Sequence, residues 1–74
     1  LKRLSLAGNH LTTLPFTIFQ LQHLQYLDLS HNNIQTLPAN IRHFLQLQVL
    51  NLSYNQIKSL PAEIGQLLQL QILN

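Results

Sequence analysis

Apolar residues in this chain fall on a fixed grid. Leu4, Leu6, Leu11 and Leu14 return as Leu27, Leu29, Ile34 and Leu37, and again as Leu50, Leu52, Ile57 and Leu60, each displaced by 23 positions. Leu1, Leu24, Leu47 and Leu70 open successive copies, which divides the chain into repeats 1–23, 24–46 and 47–69 and the start of a fourth at 70–74. The period changes inside each copy. Around Leu4 and Leu6, Leu27 and Leu29, and Leu50 and Leu52, apolar and variable residues alternate, as in a short strand with one buried face. Beyond Asn9, Asn32 and Asn55 the spacing widens, through Leu11, Leu14, Ile18 and Leu21 in the first copy and Ile34, Leu37, Ile41 and Phe44 in the second, which suits a helical turn. Pro15, Pro38 and Pro61 place the start of that turn, since proline is tolerated at a first helical position where the amide has no intrahelical partner.

One strand and one helical turn cannot make a core alone. Stacked copies can: equivalent strands pair in parallel about 4.8 Å apart, the bulkier helical sides fan outward, and the array curves with its strands on the inside. Leu4, Leu27, Leu50 and Leu73 then form one buried column, and Leu6, Leu29 and Leu52 the next.

The assembled pattern LxxLxLxxNxLxxLPxxIxxLxx covers the whole chain and resembles the leucine-rich repeat family. The Leu-Pro-x-x-Ile segment looks like that of the 23-residue intracellular subclass, as in Scribble-type and Ras-associated leucine-rich-repeat proteins. Ile34 and Ile57 depart from it by replacing leucine, and so does Phe44 on the convex side. The resemblance implies an α/β fold: a right-handed curved solenoid with a concave parallel β-sheet and short helices or 3-10 turns on the convex side. It also implies a concave surface that binds another protein.

Composition narrows the function. Seventy-four residues lie near the lower limit for a single hydrophobic core. At 46% apolar the chain is too hydrophobic to be disordered, and with only 8% charged residues its polar surface rests on Gln and Asn. Of the four Lys and Arg residues only Lys2 and Arg3 are adjacent, which excludes the clustered basic patch of a nucleic-acid binder. No apolar run reaches transmembrane length, so membrane insertion is not expected. The lack of cysteine fits a reducing, intracellular setting. Neither end carries the polar cap that a stacked array needs, so the chain reads as a segment of a longer array whose exposed ends allow end-to-end self-association.

Asn9, Asn32 and Asn55 stand where the chain leaves the strand. Backbone groups lose their ladder partners there, at about 1–3 kcal/mol for each one buried unsatisfied. A side-chain amide donates and accepts, so an asparagine ladder can tie each turn to the next. The strand positions between framework leucines set the inside surface. They include the rows Arg3, Tyr26, Val49, Ile72 and Ser5, Asp28, Asn51, Asn74, followed further on by Ser30 with His31 and by Ser53 with Tyr54. Aromatics and arginine supply most of the binding energy at protein interfaces, so Arg3, Ser5, Tyr26, Asp28, His31, Val49, Asn51 and Tyr54 are the candidate partner-binding set.

Other chemistry finds little support. His10, His23, His31 and His43 occupy four different repeat positions and do not converge on a metal, and no cofactor motif is present. Asp28, Ser30 and His31 are sequence neighbours on a strand, where alternation sends the adjacent Ser30 and His31 to opposite faces unless the turn has begun, so neither a catalytic triad nor an enzyme is expected. Asn51-Leu52-Ser53 is a formal glycosylation sequon that the strand pattern produces by itself. Phe16 and Phe19 are expected to pack on a preceding unit, and the glutamines at the repeat junctions to bond along the stack. The leading expectation is a protein-binding scaffold. The alternatives are the targeting module of a larger enzyme or effector, such as a kinase, a cyclase or a ubiquitin ligase, and a structural spacer without a direct partner.

Overall fold

In the computed structural model, which describes residues 2–66 and 72–73, strands and 3-10 helices alternate along the chain. The strands are β1 (Arg3–Ser5), β2 (Tyr26–Asp28), β3 (Val49–Asn51) and β4 (Ile72–Leu73), and the helices span Phe16–Gln20, Ala39–His43 and Ala62–Gln66. The expectations placed on Leu1, Leu70 and Asn74, and on the side chains of Ile72, Leu73 and the last junction glutamines, lie outside the described residues.

The four strands form one parallel sheet in the order β1-β2-β3-β4. Arg3 pairs with Tyr26 and Tyr26 with Val49; Leu4 pairs with Leu27, and Leu27 with Leu50. Ile72 and Leu73 continue the same register. A slip of one residue would turn every framework leucine outward. Here the leucines point in: Leu24, Leu27, Leu29, Ile34, Leu47 and Leu50 are almost wholly buried, while Leu4 and Leu6 in the first coil are only half-buried.

The pairing does not stop at the strand ends. Leu6 N–H donates to Asp28 O and Gly8 N–H to Ser30 O, and one repeat later Leu29 N–H donates to Asn51 O and His31 N–H to Ser53 O, all at 2.8–3.1 Å. The turns are thereby stacked as closely as the strands.

Each described helix is one tight stretch of 3-10 geometry. Pro15 and Pro38 are extended, with ψ of 132° and 158°, so the proline stands just before the helix and not at its first helical position. Its carbonyl nevertheless serves the helix, accepting from Ile18 N–H after Pro15 and from Ile41 N–H after Pro38. Ile18 and Ile41 fill the space under the helices.

The phenylalanines differ from expectation. Phe19 is buried against Phe44 of the following repeat, with ring centroids 5.3 Å apart, so its partner lies after it and not before it. The Phe16 ring is tilted against that of Phe19, with centroids 6.3 Å apart, and is 74% exposed.

Candidate interaction surface

The asparagines at the strand exits serve the turn that precedes them. Asn32 Oδ1 accepts from Asn9 N–H at 3.0 Å and from Leu11 N–H at 2.9 Å, both in the first repeat. Its Nδ2 donates back to Leu6 O and to Leu29 O and Ser30 O of its own repeat. Asn55 repeats the arrangement, accepting from Ile34 N–H at 3.0 Å and donating to Leu29 O, Leu52 O and Ser53 O. The Asn9 side chain bonds within its own turn, to Leu6 O and Ala7 O. Among the described residues, no buried side-chain nitrogen or oxygen lacks a partner.

On the sheet face opposite the leucines, the candidate side chains form three rows. Arg3, Tyr26 and Val49 share one row by strand register, with the Arg3 guanidinium 4.7 Å above the centre of the Tyr26 ring. At an exposed site such a cation–π contact contributes about 0.5–1 kcal/mol.

Ser5, Asp28 and Asn51 make the second row, and their side chains have a local duty. Asp28 Oδ1 accepts from Ser30 N–H and Asn51 Oδ1 from Ser53 N–H, both at 3.0 Å. Ser5 Oγ reaches Ala7 N–H more loosely, at 3.5 Å. Each side chain thus turns the backbone two residues on, which is the ordinary use of Asp, Asn and Ser at a strand exit. The signal lay in the sequence as an oxygen-bearing residue at one position of every copy. In the sequon, Ser53 Oγ also donates to Asn51 Oδ1 at 2.7 Å.

The third row is Gly8, His31 and Tyr54. All three have left-handed backbone, with φ of 72°, 57° and 58°. Side chains there point the same way, and the His31 and Tyr54 rings lie face to face, with centroids 4.4 Å apart and planes within 10°. Both rings are exposed. Sequence reasoning singled out the two residues and missed the stack, because nothing in the alternation of apolar residues marks a left-handed position that lacks glycine. Ser30, placed by its sequence on the inside surface, is buried, because the turn has already begun there and its side chain points into the stack.

Among the described residues, no three of His, Cys, Asp or Glu group closely enough to hold a metal ion. No described helix is long and apolar enough to cross a membrane.

A parallel sheet of short strands, one 3-10 helix per turn and an asparagine bonding each turn to the one before define a repeat solenoid of the leucine-rich type. The match to the leucine-rich repeat region family runs over residues 1–74, and the chain belongs to that family. Among solved structures it is similar to a leucine-rich repeat protein of Leptospira interrogans, with 50% sequence identity and a TM-score of 0.96. That likeness covers the whole of this chain and 19% of the other protein, so the chain spans about a fifth of its length. The comparison with curated proteins gives no match.

Proposed function

We propose that the chain is a non-catalytic protein-binding scaffold whose concave strand surface holds a partner polypeptide through Arg3, Tyr26, Asp28, His31, Val49, Asn51 and Tyr54, with Ser5 at the margin. Leucine-rich repeat folds serve in general as protein-interaction modules. The observation that carries the finer reading is the state of the large side chains on that face. Arg3 stands over Tyr26 and His31 over Tyr54, so the face presents arginine and aromatic side chains together, the kinds that contribute most at protein interfaces. The frame beneath is held by leucines in register and by Asn9, Asn32 and Asn55. The 23-residue register between strands supports assignment to the intracellular subclass of that repeat length.

A second reading has one observation behind it. The similar Leptospira protein is about five times longer than the stretch this chain matches, and in such a setting the array would position a larger effector on its target.

The test replaces Tyr26 and Tyr54 together by alanine and measures affinity for a partner isolated with the unaltered protein. Affinity should fall by at least an order of magnitude while the circular dichroism spectrum and melting transition persist. Unchanged affinity would move the binding site off this face.

A further inference from the structure

Ser5, Asp28 and Asn51 hold one position in successive copies, side by side in register, and each side chain bonds to the amide two residues on. Asn51 does this without a charge, at the same 3.0 Å as Asp28. The turn therefore does not require the carboxylate of Asp28. That carboxylate is also only partly used, since Oδ1 accepts from Ser30 N–H and, among the described residues, no donor reaches the other oxygen. The side chain is half-buried, so solvent screens its charge less than at an open surface.

Asp28 is one of the chain's two acids, and the other, Glu63, lies on the third 3-10 helix. On one side of Asp28 stands the first coil with Lys2 and Arg3, where the Arg3 guanidinium lies over the Tyr26 ring. The other side is different. From Leu47 to Ile57 the third coil carries no charged side chain, and Lys58 comes only in the turn beyond. A cation can thus reach Asp28 over β3 without passing Lys2 or Arg3. On that path it crosses Val49, half-buried and apolar, in the row before Asn51.

We infer that Asp28 anchors a lysine side chain of the partner polypeptide, with the methylene stem lying on Val49 and the ammonium on the free carboxylate oxygen. This rests on the concave-face reading above and adds to it a chemistry for the partner. Lysine suits the site better than arginine: its long apolar stem covers Val49 and its point charge needs one oxygen, whereas a guanidinium fork matches two, and one of these already holds Ser30 N–H. The charge pair fixes the register of the partner on the sheet and makes binding sensitive to salt.

The probe is a displayed library of random short peptides, selected on the unaltered protein. The selected pool should be enriched in lysine over the starting library, and its most enriched member, made as a free peptide, should bind Asp28→Asn roughly fivefold more weakly. Asp28→Asn should keep its melting transition, because Asn51 shows that asparagine closes the same turn. Glutamine in place of the peptide's lysine should cost as much on the unaltered protein and nothing further on Asp28→Asn, so that the two changes are coupled in a double-mutant cycle. A pool without lysine enrichment, or a cycle without coupling, would overturn the lysine anchor. If the selected peptides nevertheless lose affinity for the Tyr26→Ala, Tyr54→Ala protein, the concave-face reading stands; if they do not, it falls as well.

Discussion

Replacing Asn32 by alanine isolates what the asparagines contribute to the stack. Asn32 is 5% exposed and bonds to five backbone groups, but they do not suffer equally when it goes. Its three carbonyl acceptors each keep another donor: Leu6 O has Asn9 Nδ2, Leu29 O has Asn55 Nδ2, and Ser30 O has Gly8 N–H. The damage falls on two amides, Asn9 N–H and Leu11 N–H, for which Asn32 Oδ1 is the acceptor. Leu11 is half-buried and loses about 1–3 kcal/mol, whereas Asn9 is exposed, can turn to water and loses less. A total of about 3 kcal/mol is expected, against about 4–11 kcal/mol for a whole chain of this size. With a urea dependence near 1 kcal/mol per molar, the unfolding midpoint should drop by about 3 M. Asn55→Ala should come close to it, since Ile34 N–H is deeply buried and loses its acceptor. Asn9→Ala should cost less than about 1 kcal/mol, because its amide serves only its own exposed turn. The control is Asn33→Ala, an exposed residue whose backbone, not its side chain, bonds to Leu11 O. Urea titrations in which Asn9→Ala or Asn33→Ala is as harmful as Asn32→Ala would refute the reasoning.

Other substitutions probe other parts of the frame. Phe44→Ala removes a ring that is 1% exposed and packed on Phe19, and should cost about 3–5 kcal/mol in a thermal melt, while Phe16→Ala should stay within about 0.5 kcal/mol of the parent. Gly8→Ala meets no neighbouring atom yet forces a left-handed alanine, so urea titration should show a loss of about 1 kcal/mol from backbone strain alone. Leu27→Ala should cost about 2–5 kcal/mol, and Leu4→Ala in the half-buried first coil distinctly less; equal losses by calorimetry would contradict the burial gradient.

The periodic part of the fold was legible because one cause repeats. A leucine every 23 residues can be buried only if equivalent strands lie side by side, so the pairing of Leu4 with Leu27 and of Leu27 with Leu50 follows from spacing alone. The asparagine position was legible for a related reason, since an amide that donates and accepts at every strand exit has backbone to serve there. The direction of that service was not legible. Copies that look alike in sequence are unlike in place, and a repeat pattern carries no sign of which neighbour an asparagine reaches. Position also separates Leu14 and Leu37, buried at 5% and 7% exposure, from Leu60 at 42%.

Departures from the repeat were hardest to place, and they carry the chemistry. Phe19 and Phe44 occupy different positions in their copies, so aligning repeats never sets them side by side, although the rings meet at 5.3 Å. Gly8, His31 and Tyr54 occupy the same position and share no side-chain character, so matching residues between copies does not reveal the stack. What they share is a backbone angle that only glycine announces. Histidine and tyrosine hold that angle at a cost in strain, and the cost is unexplained by packing, since both rings stand exposed to solvent. At His31 and Tyr54 the left-handed turn sets the ring faces in a column, whereas His10 holds the same angle outside it. The framework residues then fix where each coil sits, and the few residues that break the pattern decide what the coil can hold.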